Sequence, residues 1–306
     1  MEADDSKETL TPDVSADRPA PASVCVSRRR CRLIAGGVFV TLAYSLWCGG
    51  LYLFQDGLVF PAALAPAPDS NVPDTIVQLA VETEQGRSVP GFFIRHGAAA
   101  EGKPGPAVIF FHGNAEIIDF QSRVEEMYGR LGVSVLLPEY RGYGRARHVG
   151  SPSQEALVAD GVKFYDELIK RPDVDPARVI IHGYSIGGGV AAQVATQRRP
   201  AALILEATFT SLASFAWRYG VPPALSRHPF RTDEVLPGLG VPLFIAHGRH
   251  DTIVPVEHGR RLHALVPTST YIELEQGHMD LPGDAPEDPY REEIRKFLVR
   301  NRILGE

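Results

Sequence analysis

Cysteine is scarce in this chain and absent from most of it. The 306 residues hold three, Cys25, Cys31 and Cys48, and none follows position 48. The remainder therefore has no disulfide framework, no thiol nucleophile and no cysteine-based zinc site. An excess of positive charge is also missing. The 31 Lys and Arg against 37 Asp and Glu give a net charge of −6, so no nucleic-acid partner is expected. There is no P-loop and no internal repeat. His247 and His250 lie close together, but the carboxylate-rich partners of a hydrolytic metal site are missing nearby, so neither a metal nor a cofactor is expected. Hydrophobic and charged fractions of 44% and 22% are ordinary for a globular protein. The length allows one large α/β domain with appendages, or two small domains.

The N-terminal end is built differently from the rest. Residues 1–27 are acidic and rich in Pro, Ala and Ser, cannot bury a core, and are expected to be disordered. The basic cluster Arg28, Arg29, Arg30 and Arg32 follows, closing a tail over residues 1–32. From Leu33 to Phe54 there is no charge over 22 residues, enough helix to cross a bilayer core of about 30 Å. A buried core helix of this length with flanking arginines is disfavoured. A cleaved signal peptide is the nearer competitor, with Ala63-Leu64-Ala65 as a cleavage site. The run exceeds the usual apolar segment of a signal, and a long polar tail precedes it, so an uncleaved anchor over 33–54 is expected. Trp47 before Cys48 argues against lipoprotein processing. The arginines contrast with Gln55 and Asp56 beyond the run, which keeps the N-terminus cytoplasmic and sends residues 55–306 across the membrane. High Ala, Arg and Pro suggests a bacterium, whose inner membrane would then carry a periplasm-facing domain. Residues 55–74 are assigned to a linker, stiff and extended over 61–74. Oligomeric state is not readable.

Past the linker the pattern is that of an α/β domain over 75–302. Residues 75–81 and 89–95 flank Glu84-Gln85-Gly86-Arg87 and read as a hairpin. Strands are then expected at 107–111, 134–138, 178–182, 202–205, 241–246 and 270–274. Helices are expected at 120–131, 153–170, 256–265 and 288–300, the second opened by Ser153 as N-cap. Strands apolar on both faces belong in a parallel sheet covered by helices. The expected architecture is a mainly parallel central sheet with an antiparallel N-terminal hairpin and helices on both faces. Residues 211–240 break the alternation. They carry Phe215, Trp217, Tyr219, Pro222 and Pro223, and read as a small cap whose aromatics either hold an acyl chain or form the cap's own core.

Gly183-Tyr184-Ser185-Ile186-Gly187 follows the strand at 178–182. The glycines allow a sharp reversal from strand to helix, with Ser185 at an exposed apex. A serine needs a base to take its proton and a carboxylate to hold that base. Loops at the carboxyl ends of later strands offer both. Asp251, in His247-Gly248-Arg249-His250-Asp251, is the candidate acid, though it also reads as a helix cap. His278, in Gln276-Gly277-His278-Met279-Asp280, is the candidate base, and Asp280 a weaker candidate for a contact behind it. An oxyanion needs two N–H donors. Ile186 would supply one, and Asn114 or Ala115, in the loop after the strand at 107–111, the other. Tyr140-Arg141-Gly142-Tyr143-Gly144 reads as a structural turn, and Arg260-Arg261 as a solvated helix face.

Residues 110–116, 140–144, 183–188, 208–211, 247–251 and 277–278 follow one another as in the alpha/beta-hydrolase superfamily. More narrowly, the chain resembles the BEM46-like membrane-anchored hydrolases, grouped near serine aminopeptidases. The resemblance covers about residues 75–302 and implies Ser185 as nucleophile, Asp251 as acid, His278 as base, and oxyanion donors at Asn114 or Ala115 and at Ile186. Two departures stand out. Met279 replaces the usual Asn after the histidine, and Glu206-Ala207 replaces the usual Glu-Asn before Thr208. The expectation is a membrane-anchored serine hydrolase acting on an ester, thioester or amide, with a small-molecule or lipid acyl group favoured. The alternatives are a serine peptidase of the aminopeptidase type, which would need an amine-binding acid such as Glu206, Asp233 or Glu234, and a membrane-tethered binding module.

Overall fold

Seven consecutive residues from Gly105 to Phe111 are all buried. Ala107, Ile109 and Phe111 enter one apolar cluster, while Val108 and Phe110 enter another. That alternation is the period of a strand with a core on each face. The computed structural model describes residues 28–280 and 288–305, and the strands are β1 (Ile76–Glu82), β2 (Ser88–Ile94), β3 (Gly105–Phe111), β4 (Ser134–Pro138), β5 (Val174–Tyr184), β6 (Ala202–Glu206), β7 (Leu243–Gly248) and β8 (Thr270–Leu274). They form one sheet in the order β1-β2-β4-β3-β5-β6-β7-β8. β2 pairs antiparallel with β1 and β4, and every pairing beyond β4 is parallel. The helices are α1 (Arg28–Val59), α2 (Gly97–Ala100), α3 (Ser122–Arg130), α4 (Gln154–Ile169), α5 (Ile186–Gln197), α6 (Thr232–Val235), α7 (Glu257–Leu265) and α8 (Pro289–Arg300). Phe111 pairs with Gly183 in the β3–β5 register, so the loop after β3 emerges beside the turn after β5.

The chain divides into two units at Trp47/Cys48. In the first, the described residues are helical and expose Leu33, Ile34, Phe39 and Leu46. Residues Arg30–Leu64 are long and apolar enough to cross a membrane. The basic cluster assigned to the tail is already helical from Arg28, while the rest of that tail, including Cys25, lies outside the described residues. In the second unit α1 does not stop at Phe54 but continues to Val59. Gln55 Nε2 donates to the Leu225 carbonyl at 3.2 Å, and Arg227 N–H donates to Gln55 Oε1 at 2.7 Å. His228 Nε2 lies 2.9 Å from Asp56 Oδ1, and Phe60 is buried. The helix ends where Pro61 disfavours a helical residue before it. Residues 55–60 are thus part of the domain's packing rather than a spacer. Downstream, Asp69 is tied to Asp119 and Arg145, by its N–H at 3.0 Å and its carbonyl at 2.7 Å.

Between β6 and β7, residues 211–240 fold as short helical turns, Leu212–Tyr219, Pro223–Leu225, α6 and Leu236–Gly238. Arg141, in the turn after β4, is bound to Asp160 by two hydrogen bonds of 2.6 Å and to Glu84 by one of 2.9 Å. Its role is structural. Ser153 caps α4 by accepting from Ala156 N–H at 3.1 Å, and Asp288 caps α8 by accepting from Tyr290 N–H at 2.7 Å.

Candidate active site

Ser185 stands at the turn from β5 into α5 with φ 53° and ψ −118°. Such a conformation costs a non-glycine residue on the order of 1–3 kcal/mol. Two hydrogen bonds hold it there: Ser185 N–H donates to the Glu206 carbonyl at 2.9 Å, and Thr208 Oγ1 donates to the Ser185 carbonyl at 2.7 Å. The flanking glycines are required for space. A Cβ on Gly183 would lie 2.2 Å from the Gly187 carbonyl oxygen, and one on Gly187 would lie 2.0 Å from that of Phe111.

The loops after β7 and β8 bring two further groups to this apex. His278 Nε2 lies 3.0 Å from Ser185 Oγ, and His278 Nδ1 lies 2.6 Å from Asp251 Oδ2. All three side chains are buried. Asp251 Oδ1 accepts from the amides of Ile253 at 2.9 Å and Val254 at 2.7 Å. Burial works to raise the Asp251 carboxyl, but the imidazoles of His247 and His278 and the Val254 amide outweigh it and hold the group well below the usual carboxylate range. A charged Asp251 takes the Nδ1–H of His278 and leaves Nε2 free to accept the Ser185 proton.

Two side chains behind Ser185, His278 and Asp251, those of Tyr184 and His247, were not readable as partners from the sequence. Tyr184 donates its hydroxyl to the His278 carbonyl at 2.8 Å, and its ring centroid lies 5.3 Å from that of the imidazole. The same hydroxyl is 3.2 Å from Met279 Sδ, so the methionine departure is accommodated against Tyr184. His247, fully buried under Asp251, has Nε2 at 2.8 Å from the Val254 carbonyl and 3.4 Å from Asp251 Oδ2. Asp280 makes no hydrogen bond to any of the three groups. It accepts from Gly277 N–H at 3.0 Å and shapes the turn before His278.

The loop after β3 closes the other side. His112 Nε2 lies 3.2 Å from the buried Glu139, and Tyr140 OH donates to the His112 carbonyl at 2.9 Å. Asn114 uses its whole side chain in bracing: Nδ2 donates to the Val59 carbonyl at 2.7 Å, and Oδ1 accepts from Tyr143 OH at 2.7 Å. Among the described residues, the backbone N–H groups of Asn114, Ala115 and Ile186 donate to no acceptor. Asn114 and Ile186 line a cavity with Ser185 and His278, whereas Ala115 does not.

That cavity has a volume of about 530 Å³. Its walls are mostly apolar, with Phe209, Leu212, Phe215, Val221 and Ile253 among them, and Phe209 and Phe215 also pack into the core. Among the described lining residues there is no carboxylate. Glu206 is buried elsewhere, 2.5 Å from Tyr290 OH and 3.2 Å from His182, and Asp233 and Glu234 both pair with Arg231.

The profile of the family described as serine aminopeptidase, S33, matches residues 102–228. A Mycobacterium tuberculosis protein, Rv2307c, is 31% identical over 92% of this chain and all of its own length. Protein bem46 of Schizosaccharomyces pombe is 28% identical over 72% of this chain and 81% of its own. The lysophosphatidylserine lipase ABHD12 of Gallus gallus is 31% identical, over 56% of this chain and half of its own length. In fold, Thermogutta terrifontis esterase 2 superposes with a TM-score of 0.60 at 17% identity, over 77% of this chain and 98% of that one.

Proposed function

Because the chain belongs to the BEM46-like branch of the alpha/beta-hydrolase superfamily, we propose that it is a membrane-anchored serine hydrolase with Ser185 as nucleophile, His278 as base and Asp251 as acid. The observation that carries this reading is the hydrogen-bonded chain Ser185–His278–Asp251, at 3.0 and 2.6 Å, whose Ser185 and His278 line a mostly apolar cavity.

Ser185 Oγ attacks an acyl carbonyl carbon while His278 Nε2 takes the hydroxyl proton, and Asp251 stabilises the imidazolium. The oxyanion receives the N–H groups of Ile186 and Asn114, two residues that line the cavity and whose amides have no other acceptor among the described residues. His278 returns the proton to the leaving group, which departs and leaves an acyl-enzyme. Water, activated by His278, then releases the acid and restores Ser185. An ester is the favoured substrate, with a long apolar acyl part, since the walls offer hydrocarbon contacts and a related protein is named a lipase. An aminopeptidase reading finds no carboxylate in the described lining for a substrate amine. A pure binding module has no use for the strained backbone at Ser185. The anchor is residues 33–54, with the arginines on the cytoplasmic side and the hydrolase domain beyond the membrane.

Full-length protein in detergent micelles should hydrolyse p-nitrophenyl acyl esters, and Ser185→Ala should bring the rate to that of buffer. Equal turnover by wild type and Ser185→Ala, or none by wild type on esters, thioesters and amides, would overturn the proposal.

A further inference from the structure

One wall of the substrate cavity comes from the far end of the apolar N-terminal helix. Leu51, Tyr52, Gln55, Leu58 and Val59 all line the cavity that holds Ser185 and His278. They recur at i, i+1, i+4, i+7 and i+8, which is one face of a helix. Leu58 is 63% exposed and Tyr52 43% exposed, so this face offers accessible hydrocarbon inside an enzyme cavity. Phe54, on the same helix and 73% exposed, does not line it.

The wall is fixed at both rims. Val59 holds the Asn114 side chain, and with it the loop after β3, at 2.7 Å. Gln55 and Asp56 hold the 225–228 segment through the three hydrogen bonds given above, all within 3.2 Å. The Phe60 ring sits 5.0 Å from that of His228 and 6.3 Å from that of Phe230. The end of α1 therefore stands as a keystone between the loop that faces the oxyanion and the segment between β6 and β7.

We propose that Leu51–Val59 of α1 is the specificity-determining wall of the site, with the acyl chain of the substrate lying against Tyr52 and Leu58. This rests on the hydrolase reading above and narrows its substrate to an acyl ester supplied as an amphiphile that partitions to the same membrane as the helix. Leu51 and Tyr52 belong both to the apolar run and to the cavity lining, so a chain leaving the hydrocarbon meets the enzyme on the helix itself.

The test uses the full chain in detergent micelles and the ratio of kcat/KM for p-nitrophenyl dodecanoate to that for p-nitrophenyl butyrate. Leu58→Trp should lower this ratio at least tenfold by filling the wall. Leu58→Ala, which obstructs nothing, should raise it and move the preferred chain length upward. Phe54→Trp, off the lining, should keep the wild-type ratio. Ratios for both Leu58 variants within twofold of wild type would overturn the wall, as would an equal drop with Phe54→Trp. If wild type hydrolyses neither ester and takes no fluorophosphonate, the hydrolase reading itself fails. A labelled, active wild type with an unmoved chain-length profile overturns only the wall.

Discussion

The Asp251 carboxylate is buried, yet it is held in its charged form by the groups around it. Its value in the folded protein lies below the ordinary aspartate value of about 3.9. A depressed carboxyl contributes stability that is complete above the ordinary value and lost as pH falls through the depressed one. The melting-temperature difference between wild type and Asp251→Asn should therefore stay level from about pH 8 to about pH 5 and shrink only below about pH 4; a difference that vanishes between pH 7 and pH 5 would contradict this. The same substitution should lower kcat by on the order of 10⁴-fold, because Asn no longer dictates which imidazole nitrogen carries the proton. Tyr184→Phe removes one hydrogen bond behind His278, worth about 1 kcal/mol, and should lower kcat about fivefold and the melting temperature by about 2–4 °C. At this scale the sequence was readable where chemistry and position coincided. Ser185, Asp251 and His278 each follow a strand end, in the chain order that this chemistry uses. The Tyr184 hydroxyl, whose partner is 94 residues away, and His247 beneath Asp251 carried no such signal, because only tertiary packing brings them to the site.

Secondary elements were legible wherever burial imposed a period. β4 and β8 lie where the apolar runs placed them, as do α7 and α8 to within a residue. β5 is longer than its continuous apolar run, because Val174, which is buried and pairs with Gly105, is separated from that run by exposed Pro176 and Ala177. The end of α1 was missed for a related reason. Gln55 and Asp56 mark a polar boundary in sequence, but in the fold their side chains bond residues about 170 positions on. Two variants test how elements hold the site. Gly187→Ala forces a Cβ against the Phe111 carbonyl, an overpacking of about 1–3 kcal/mol, and should lower the melting temperature by about 3–10 °C as well as abolish activity. Asn114→Ala should lower kcat about tenfold, since it frees the loop proposed to bind the oxyanion from Val59 and Tyr143.

At the scale of the whole molecule, the proposal places a catalytic domain on one side of a membrane and its cavity wall on the helix that crosses it. In that proposal the charge asymmetry around residues 33–54 would place the domain outside the cytoplasm. A C-terminal fusion to a reporter active only outside the cytoplasm should be active in a bacterial host, and a silent but stably expressed fusion would reverse the orientation. Removal of residues 1–60 would take away the keystone as well as the anchor. That truncation should lose hydrolysis even in detergent, whereas a simple tether would leave it intact. All of this depends on Ser185 being an activated nucleophile. The most direct measurement is reaction of the intact protein with a fluorophosphonate, followed by peptide mass mapping. The account predicts a single adduct on the peptide that carries Ser185, and none on the Ser185→Ala protein. An unmodified wild type, or the same adduct on both proteins, would contradict it.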